Sequence, residues 1–391
     1  MADSGKAPES PATAPSFPPA ASSPPPAASS PPPAAETPAA SGTGNVEAGI
    51  LPATHWEPIA QQEEVLDDGD SAFSVPASST NSLSASIWEY RTHLGRTYHS
   101  DIGKAEHWIP NDEQQLESMD MHHGTSELTA GHSHHACTLL LEGKLYLAPI
   151  DKEKVRDVLD IGTGTGIWAV DFADTHPDAE VVGTDITPIQ ETWVPPNLRF
   201  ELEDANSENF SFKTDFFDFV HLRGMVGTIA DWPKFYREAY RVCKPGGWIE
   251  HHDEAAEWYA YDAEISEKSA MGQWGRVFAE GGKRFGRTFR VVQEDVQRKG
   301  MEEAGFVDIV VKDFKVPLGS WPTDPKQREL GFWARRVIEV DLDGFVNYMW
   351  GAVMGWSAVE IQVYIAHLRK EMKEPLKTWY PHRIVYGRKP E

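Results

Sequence analysis

The stretch with the clearest chemical content in this 391-residue chain is VLDIGTGTGIW, residues 158–168. Asp160 is followed by Gly162, Gly164 and Gly166 at every second position, with Thr163 between the first two. Glycines so spaced let the backbone turn sharply and let a ligand approach the main chain. A dinucleotide fingerprint needs its third glycine at position 167, where this chain has Ile167, and offers its turn to a pyrophosphate. A carboxylate at Asp160 repels that anion and attracts a cationic ligand. A nicotinamide-dependent oxidoreductase is disfavoured on both counts. Asp185 ends VVGTD about 20 residues further on, where an acid can bind two ribose hydroxyls. Glu203-Asp204-Ala205 closes LRFELED, and an acid there can accept from an adenine amino group.

S-adenosylmethionine carries an ammonium and a sulfonium beside its adenosine, so this order of turn, acid and acid favours it as the ligand. Methyl transfer is an in-line displacement on a sulfonium carbon, and much of the rate comes from holding nucleophile and carbon in line. A base is needed only if the acceptor must lose a proton. His221, His251 and His252 stand at strand ends where such a base would sit. The competing reading of each, a histidine packed at a strand end, carries more weight, and no catalytic residue is assigned.

These residues need a parallel sheet to bring them to one edge. VRDVLDIG, VVGTD, LRFELED, FFDFVHL (216–222) and GGWIEHHD (246–253) are short apolar runs, and helical stretches lie at Ile167–His176, Trp232–Val242 and Glu294–Ala304. Alternation of this kind means a doubly wound α/β sheet with helices on both faces, its ligand at the carboxyl ends of the strands. VDIVVKDFKV (307–316) and RIVYGRK (383–389) supply the last strands, separated by a helical insertion at about 324–374. Residues 1–80 read as a Pro/Ala/Ser-rich and acidic disordered tail, 81–150 as an N-terminal helical cap in which Asn111 caps a helix, and 151–391 as the catalytic domain. ASSPPPA occurs twice in the tail, which holds little apolar surface to bury.

Segment 155–253 resembles a class I S-adenosylmethionine-dependent methyltransferase. VLDIGTGTGIW is similar to that class's first motif, VVGTD to its second, and KPGGWIEHHD to a later turn and strand. Further stretches resemble the narrower fungal LaeA-like methyltransferases: YRTHLGRTYH (90–99), LEGKLYLAPI (141–150), WAVDFADTHPDAEVVGTDITPIQ (168–190), WVPPNLRFELEDA (193–205), DWPKFYREAYRVCKPGGWIE (231–250), VPLGSWP (316–322) and VYGRKP (385–390). The resemblance covers about residues 65–391. It implies a seven-stranded Rossmann-like sheet whose last strand is antiparallel. It implies that Asp160, Gly162, Thr163, Gly164 and Gly166 surround the methionine part of the cofactor. Asp185 and Ile186 then hold the ribose, Asp204 and Ala205 lie by the adenine, and His221 with Arg223 lines the region near the methyl group. Against the family, residues 124–135 look like an insertion ending in a second dihistidine; His122, His123, His132, His134 and His135 are read as a loop, with no metal assigned.

Composition bounds the partners. Asp and Glu number 60 against 36 Lys and Arg, a formal charge of −24. Nucleic-acid affinity comes mainly from basic side chains, so direct binding to DNA or RNA is not expected. The longest uncharged apolar stretch, 344–359, is shorter than the roughly 20 residues a membrane span needs. Two distant cysteines make no disulfide framework. The leading expectation is a methyltransferase acting on a small-molecule secondary metabolite. Trp88, Trp108, Trp232, Trp274, Trp350 and Trp356 are read either as the wall of its acceptor pocket or as ordinary packing, with equal weight. The alternative is a LaeA-type nuclear regulator working with velvet-type partners. Either places the protein in the cytoplasm or nucleus.

Overall fold

The computed structural model describes residues 49–56, 89–100, 107–119 and 132–391. The expectations for Trp88, His122, His123 and most of the tail lie outside them. Residues 49–56, within the stretch read as tail, are described. There a short turn, Ala53–His55, places Ile50 and Trp56 in the core, Trp56 edge-on to Tyr364.

The N-terminal region is not purely helical. It opens with a hairpin, β1 (Arg91–His93) and β2 (Arg96–Tyr98), joined by Leu94-Gly95, both at positive φ. Two helices follow, α1 (Glu113–Met119) and α2 (His132–Leu140). The cap of α1 is Asp112 rather than Asn111: its Oδ1 accepts from the Gln115 amide at 3.2 Å. The catalytic half then runs β3 (Asp157–Ile161), α3 (Ile167–Thr175), β4 (Glu180–Asp185), β5 (Leu198–Leu202), β6 (Phe217–Arg223), α4 (Trp232–Val242), β7 (Cys243–Glu254) and β8 (Tyr259–Ala260). After α5 (Ala270–Phe285), a helix the periodicity had not revealed, come α6 (Val296–Ala304) and β9 (Val307–Pro317). The insertion comprises α7 (Pro325–Val340), α8 (Leu342–Val346), a π-helical turn over Asn347–Val353 and α9 (Ala358–Lys373). The chain closes with β10 (Thr378–Arg388).

The sheet order is β5-β4-β3-β6-β7-β10-β9, the first five strands parallel and β10 antiparallel to both its neighbours. This is the expected seven-stranded Rossmann-like sheet. The two-residue β8 adds one further antiparallel pairing to Thr378–Trp379. Both faces are covered, as a parallel sheet requires. Leu159, Ile161, Val220 and Leu222 point into one cluster with Phe235, Tyr236 and Ala239 of α4. Val158 and Phe219 point into the other with Trp168, Ala169 and Phe172 of α3. Burying each of the valine, leucine, isoleucine and phenylalanine side chains among them contributes about 1.5–3 kcal/mol.

Polar anchors dock the cap on this frame. Arg96 reaches Asp112 of the cap and Asp341 of the insertion, with two hydrogen bonds to each carboxylate at 2.5–2.7 Å. Trp108 donates to the Val226 carbonyl at 3.1 Å, and Ser118 to that of Val337 at 2.6 Å. The buried Glu250 carboxylate on β7 accepts from the amides of Leu147 and Ala148, which pins the linker after α2 to the sheet.

Candidate functional site

The carboxyl ends of β3, β4, β5 and β6 open into one cavity, roofed by α1 and α2 of the cap. Its wall carries Asp160, Gly162, Thr163 and Gly164 from the first turn, Asp185 and Ile186 from β4, Glu203, Asp204 and Ala205 after β5, and His221 and Arg223 from β6. Nine of the ten positions expected to contact the cofactor thus lie on one surface. The tenth, Gly166, does not line it. It starts α3 at φ +87°, and a Cβ there would lie 2.3 Å from the Phe200 ring. Its role is close helix–strand packing.

Gly162 is where the chain must be bare toward the cavity. Its φ is +67°, and a Cβ would come within 2.4 Å of Met225 Sδ. The turn is braced from below. Thr163 donates its hydroxyl to Asp160 Oδ2 at 2.6 Å, and Gln190 donates to the Gly164 carbonyl at 2.6 Å. Asp185 Oδ2 accepts from the Gly164 amide at 2.9 Å and Oδ1 from the Thr187 amide at 3.0 Å. Each oxygen of Asp185 keeps a lone pair for a further donor.

Electrostatics follow from burial. Desolvation pushes the Asp160 carboxyl up to about 7 and the Asp185 carboxyl up to about 6, against partial compensation from Thr163 and from backbone amides. His221 Nδ1 meets Asp160 Oδ1 at 2.7 Å while its ring stacks on Trp168 at 3.7 Å. Burial drives His221 well below the usual imidazole range, so the ring is neutral. Its Nε2 is buried without a hydrogen-bond partner among the described residues. Five carboxylates, Asp160, Asp185, Glu203, Asp204 and Glu254, line the cavity, against one guanidinium, that of Arg223.

The other expected histidines lie elsewhere. His251 is fully buried between Tyr236 Oη (2.6 Å) and Asp253 Oδ2 (2.9 Å), and burial lowers it to about 3. His252 is 2 % exposed and pairs with Glu250 at 2.5 Å. Neither lines the cavity, so the candidate bases His251 and His252 are packed side chains. Successive residues on a strand face opposite sides, and here both sides are covered. His134 pairs with Asp171 at 2.9 Å, while His132 and His135 pack against Trp333. Among the described residues no three His, Cys, Asp or Glu side chains converge as a metal site. No helix among them is long and apolar enough to cross a membrane.

A second chamber of about 120 Å³ shares Ile109, Gly224 and Glu254 with the first. Trp108, Trp258, Trp274, Phe278, Phe289, Phe345 and Tyr380 supply its rings. Of the five tryptophans of the expected wall that are among the described residues, Trp108 and Trp274 line the chamber and the other three do not. Trp232 stacks on His251 beneath the sheet, and Trp350 and Trp356 fill the core against Tyr364. Trp258, Glu254 and the cap residues Leu116 and Met119 were not foreseen. Glu254 alone had a signal, as the last residue of a strand ending at the ligand edge.

The lining fits S-adenosylmethionine: a bare turn for close approach, a carboxylate with free lone pairs at Asp185 that can accept from hydroxyls, and an excess of carboxylates toward cationic groups. When bound, the cofactor supplies an electrophilic methyl carbon on cationic sulfur. The chain's part would be to hold the cofactor through Asp160, Asp185 and the glycine turn, with Leu116, Met119, Ser133 and Cys137 of the cap over the cavity.

Residues 132–310 match the family described as a methyltransferase domain. Over 80 % of this chain and 92 % of its own length, methyltransferase pytC of Aspergillus terreus is 33 % identical. The secondary metabolism regulator LAE1 of Cochliobolus heterostrophus is 32 % identical over 71 % of this chain and 87 % of its own length. The probable methyltransferase tdiE of Emericella nidulans is 29 % identical over 79 % of this chain and 92 % of its own length. The chain therefore belongs to the fungal LaeA-like family of class I S-adenosylmethionine-dependent methyltransferases.

Proposed function

We propose that the protein transfers a methyl group to a small, largely aromatic secondary metabolite. What carries this reading is the adjacency of the two cavities: a carboxylate-rich one suited to the cofactor shares Ile109, Gly224 and Glu254 with an apolar one walled by rings. In it, Asp160, Gly162, Thr163 and Gly164 hold the methionine end, Asp185 and Ile186 the ribose, and Asp204 and Ala205 the adenine. His221 and Arg223 stand beside the methyl group, and Gly166 sets the turn. The kinship with pytC and tdiE supports an enzyme. Incubation with radiolabelled S-adenosylmethionine and extracts of a strain lacking the gene tests it: label should pass to a product soluble in organic solvent. Label found only in protein refutes the small-molecule acceptor.

A second reading rests on the kinship with LAE1. There the same fold serves gene control in the nucleus alongside velvet-type partners. Capture of such a partner by the full chain, lost when the cap is cut away, supports it. Both readings place the protein in the cytoplasm or the nucleus, which fractionation tests.

A further inference from the structure

Glu254 is the last residue of β7 and lines both cavities. Among the described residues of the apolar chamber it is the one carboxylate. The neighbouring buried acids of the same strand are engaged. Glu250 holds two backbone amides and His252, and Asp253 holds the Val226 amide and His251. Glu254 differs. Its side chain remains 43 % accessible, and its ion-pair contact with His382 Nδ1 is long, at 3.9 Å. Burial lowers His382 to about 3, so that ring is uncharged and neutralises nothing.

We infer that Glu254 is a catalytic residue that accepts the proton of an aromatic or enolic hydroxyl as that oxygen is methylated. The inference rests on reading the larger cavity as the cofactor's and the smaller as the acceptor's. The acceptor oxygen forms a bond to the methyl carbon. The sulfur–carbon bond breaks, its electron pair stays on sulfur and removes the positive charge, and the hydroxyl proton passes to a Glu254 oxygen and then to solvent. Rings around the chamber suit a flat aromatic body. A lone carboxylate at its mouth suits one hydroxyl directed at the cofactor. Burial and the adjoining Asp253 carboxylate raise Glu254 above the ordinary range, against a smaller opposing effect of Arg223. That makes it a stronger proton acceptor than a surface acid. Tyr380 and His382 of β10 and Arg223 of β6 are the titratable and charged groups facing it from neighbouring strands.

The test uses full-length protein and two probes of one shape, 2-naphthol and 2-fluoronaphthalene, titrated calorimetrically without cofactor. Wild type should bind 2-naphthol at least tenfold more tightly at about pH 8, the scale of a hydrogen bond to a charged group. The preference should shrink below about threefold at about pH 5, where the carboxyl is protonated. In E254Q and E254L it should vanish at both pH values, with thermal unfolding showing that both variants are folded. Equal binding of the two probes by wild type at about pH 8, binding of neither, or a preference that survives in E254Q overturns the inference. Should both variants fail to fold, the wild-type comparison at two pH values still decides. A wild type that binds no S-adenosylmethionine refutes the cofactor reading instead, and the naphthol result is scored apart from it.

Discussion

Replacing Asp185 separates the cofactor reading from a purely structural one. In the folded chain its two oxygens accept from the Gly164 and Thr187 amides, at 2.9 and 3.0 Å. Two further lone pairs remain for the ribose hydroxyls. Asp185→Ala removes all four acceptor positions. A hydrogen bond to a charged group is worth about 1.5–3 kcal/mol. Losing one such net contribution raises the Kd for S-adenosylmethionine about 10- to 150-fold, at about 1.4 kcal/mol per tenfold. The two amides belong to residues that line the cavity and can bond to solvent entering it, so the fold loses only about 1–2 kcal/mol. Asp185→Asn refines the test. It keeps the volume, but its NH2 must face the Gly164 or the Thr187 amide, where donor meets donor. Its Kd should therefore rise at least tenfold as well, with no gain from retained shape. Calorimetric titration of both variants, with thermal unfolding as the control for folding, measures this. A change below threefold in a folded Asp185→Ala protein would refute the assignment of this carboxylate to the ribose.

The remaining predictions follow from the same contacts. Asp160 and Asp185 are raised by burial to about 7 and about 6, so the folded apo-protein binds protons that the unfolded chain has released. Its stability should fall as pH rises from about 4 to about 7. A cationic ligand favours the charged carboxylates, so affinity for S-adenosylmethionine should rise over the same window; a flat calorimetric profile contradicts both raised values. Glu250→Ala strands two buried amides and His252, a loss of about 3–5 kcal/mol that should lower Tm by about 10 °C in calorimetry. Arg96→Lys keeps the charge but cannot serve Asp112 and Asp341 with paired hydrogen bonds; about 2–4 kcal/mol should be lost, read as faster proteolysis between the cap and the catalytic half.

Much of the frame was legible because local rules governed it. The glycine turn, the strands ending in acids and the helices over Trp232–Val242 and the insertion all follow from spacing of two or about four residues. The hairpin at 91–98 was missed because its turn, Leu94-Gly95, lacks the usual Asn-Gly pair and its strands are three residues long. Helix α5 was missed because Gly272, Gly275, Gly281 and Gly282 argue against a helix locally. They are tolerated because neighbours close in: a Cβ on Gly272 would meet the Ser266 carbonyl at 2.1 Å, and one on Gly275 would meet Glu257 at 2.5 Å.

By itself the sequence determined the order of strands, the turn that approaches the ligand, and the acids along one sheet edge, since each depends on neighbours in the chain. Only the tertiary structure decided what those acids face. His251, His252 and Glu254 are near neighbours on one strand, yet two are sealed beneath packed side chains and the third opens on two cavities. The difference is made by neighbouring elements: Trp232 and Tyr236 of α4 close over His251, and Glu250, His221 of β6 and His382 of β10 surround His252. Such covering depends on how α4, β6 and β10 pack against β7, which no pattern within β7 encodes.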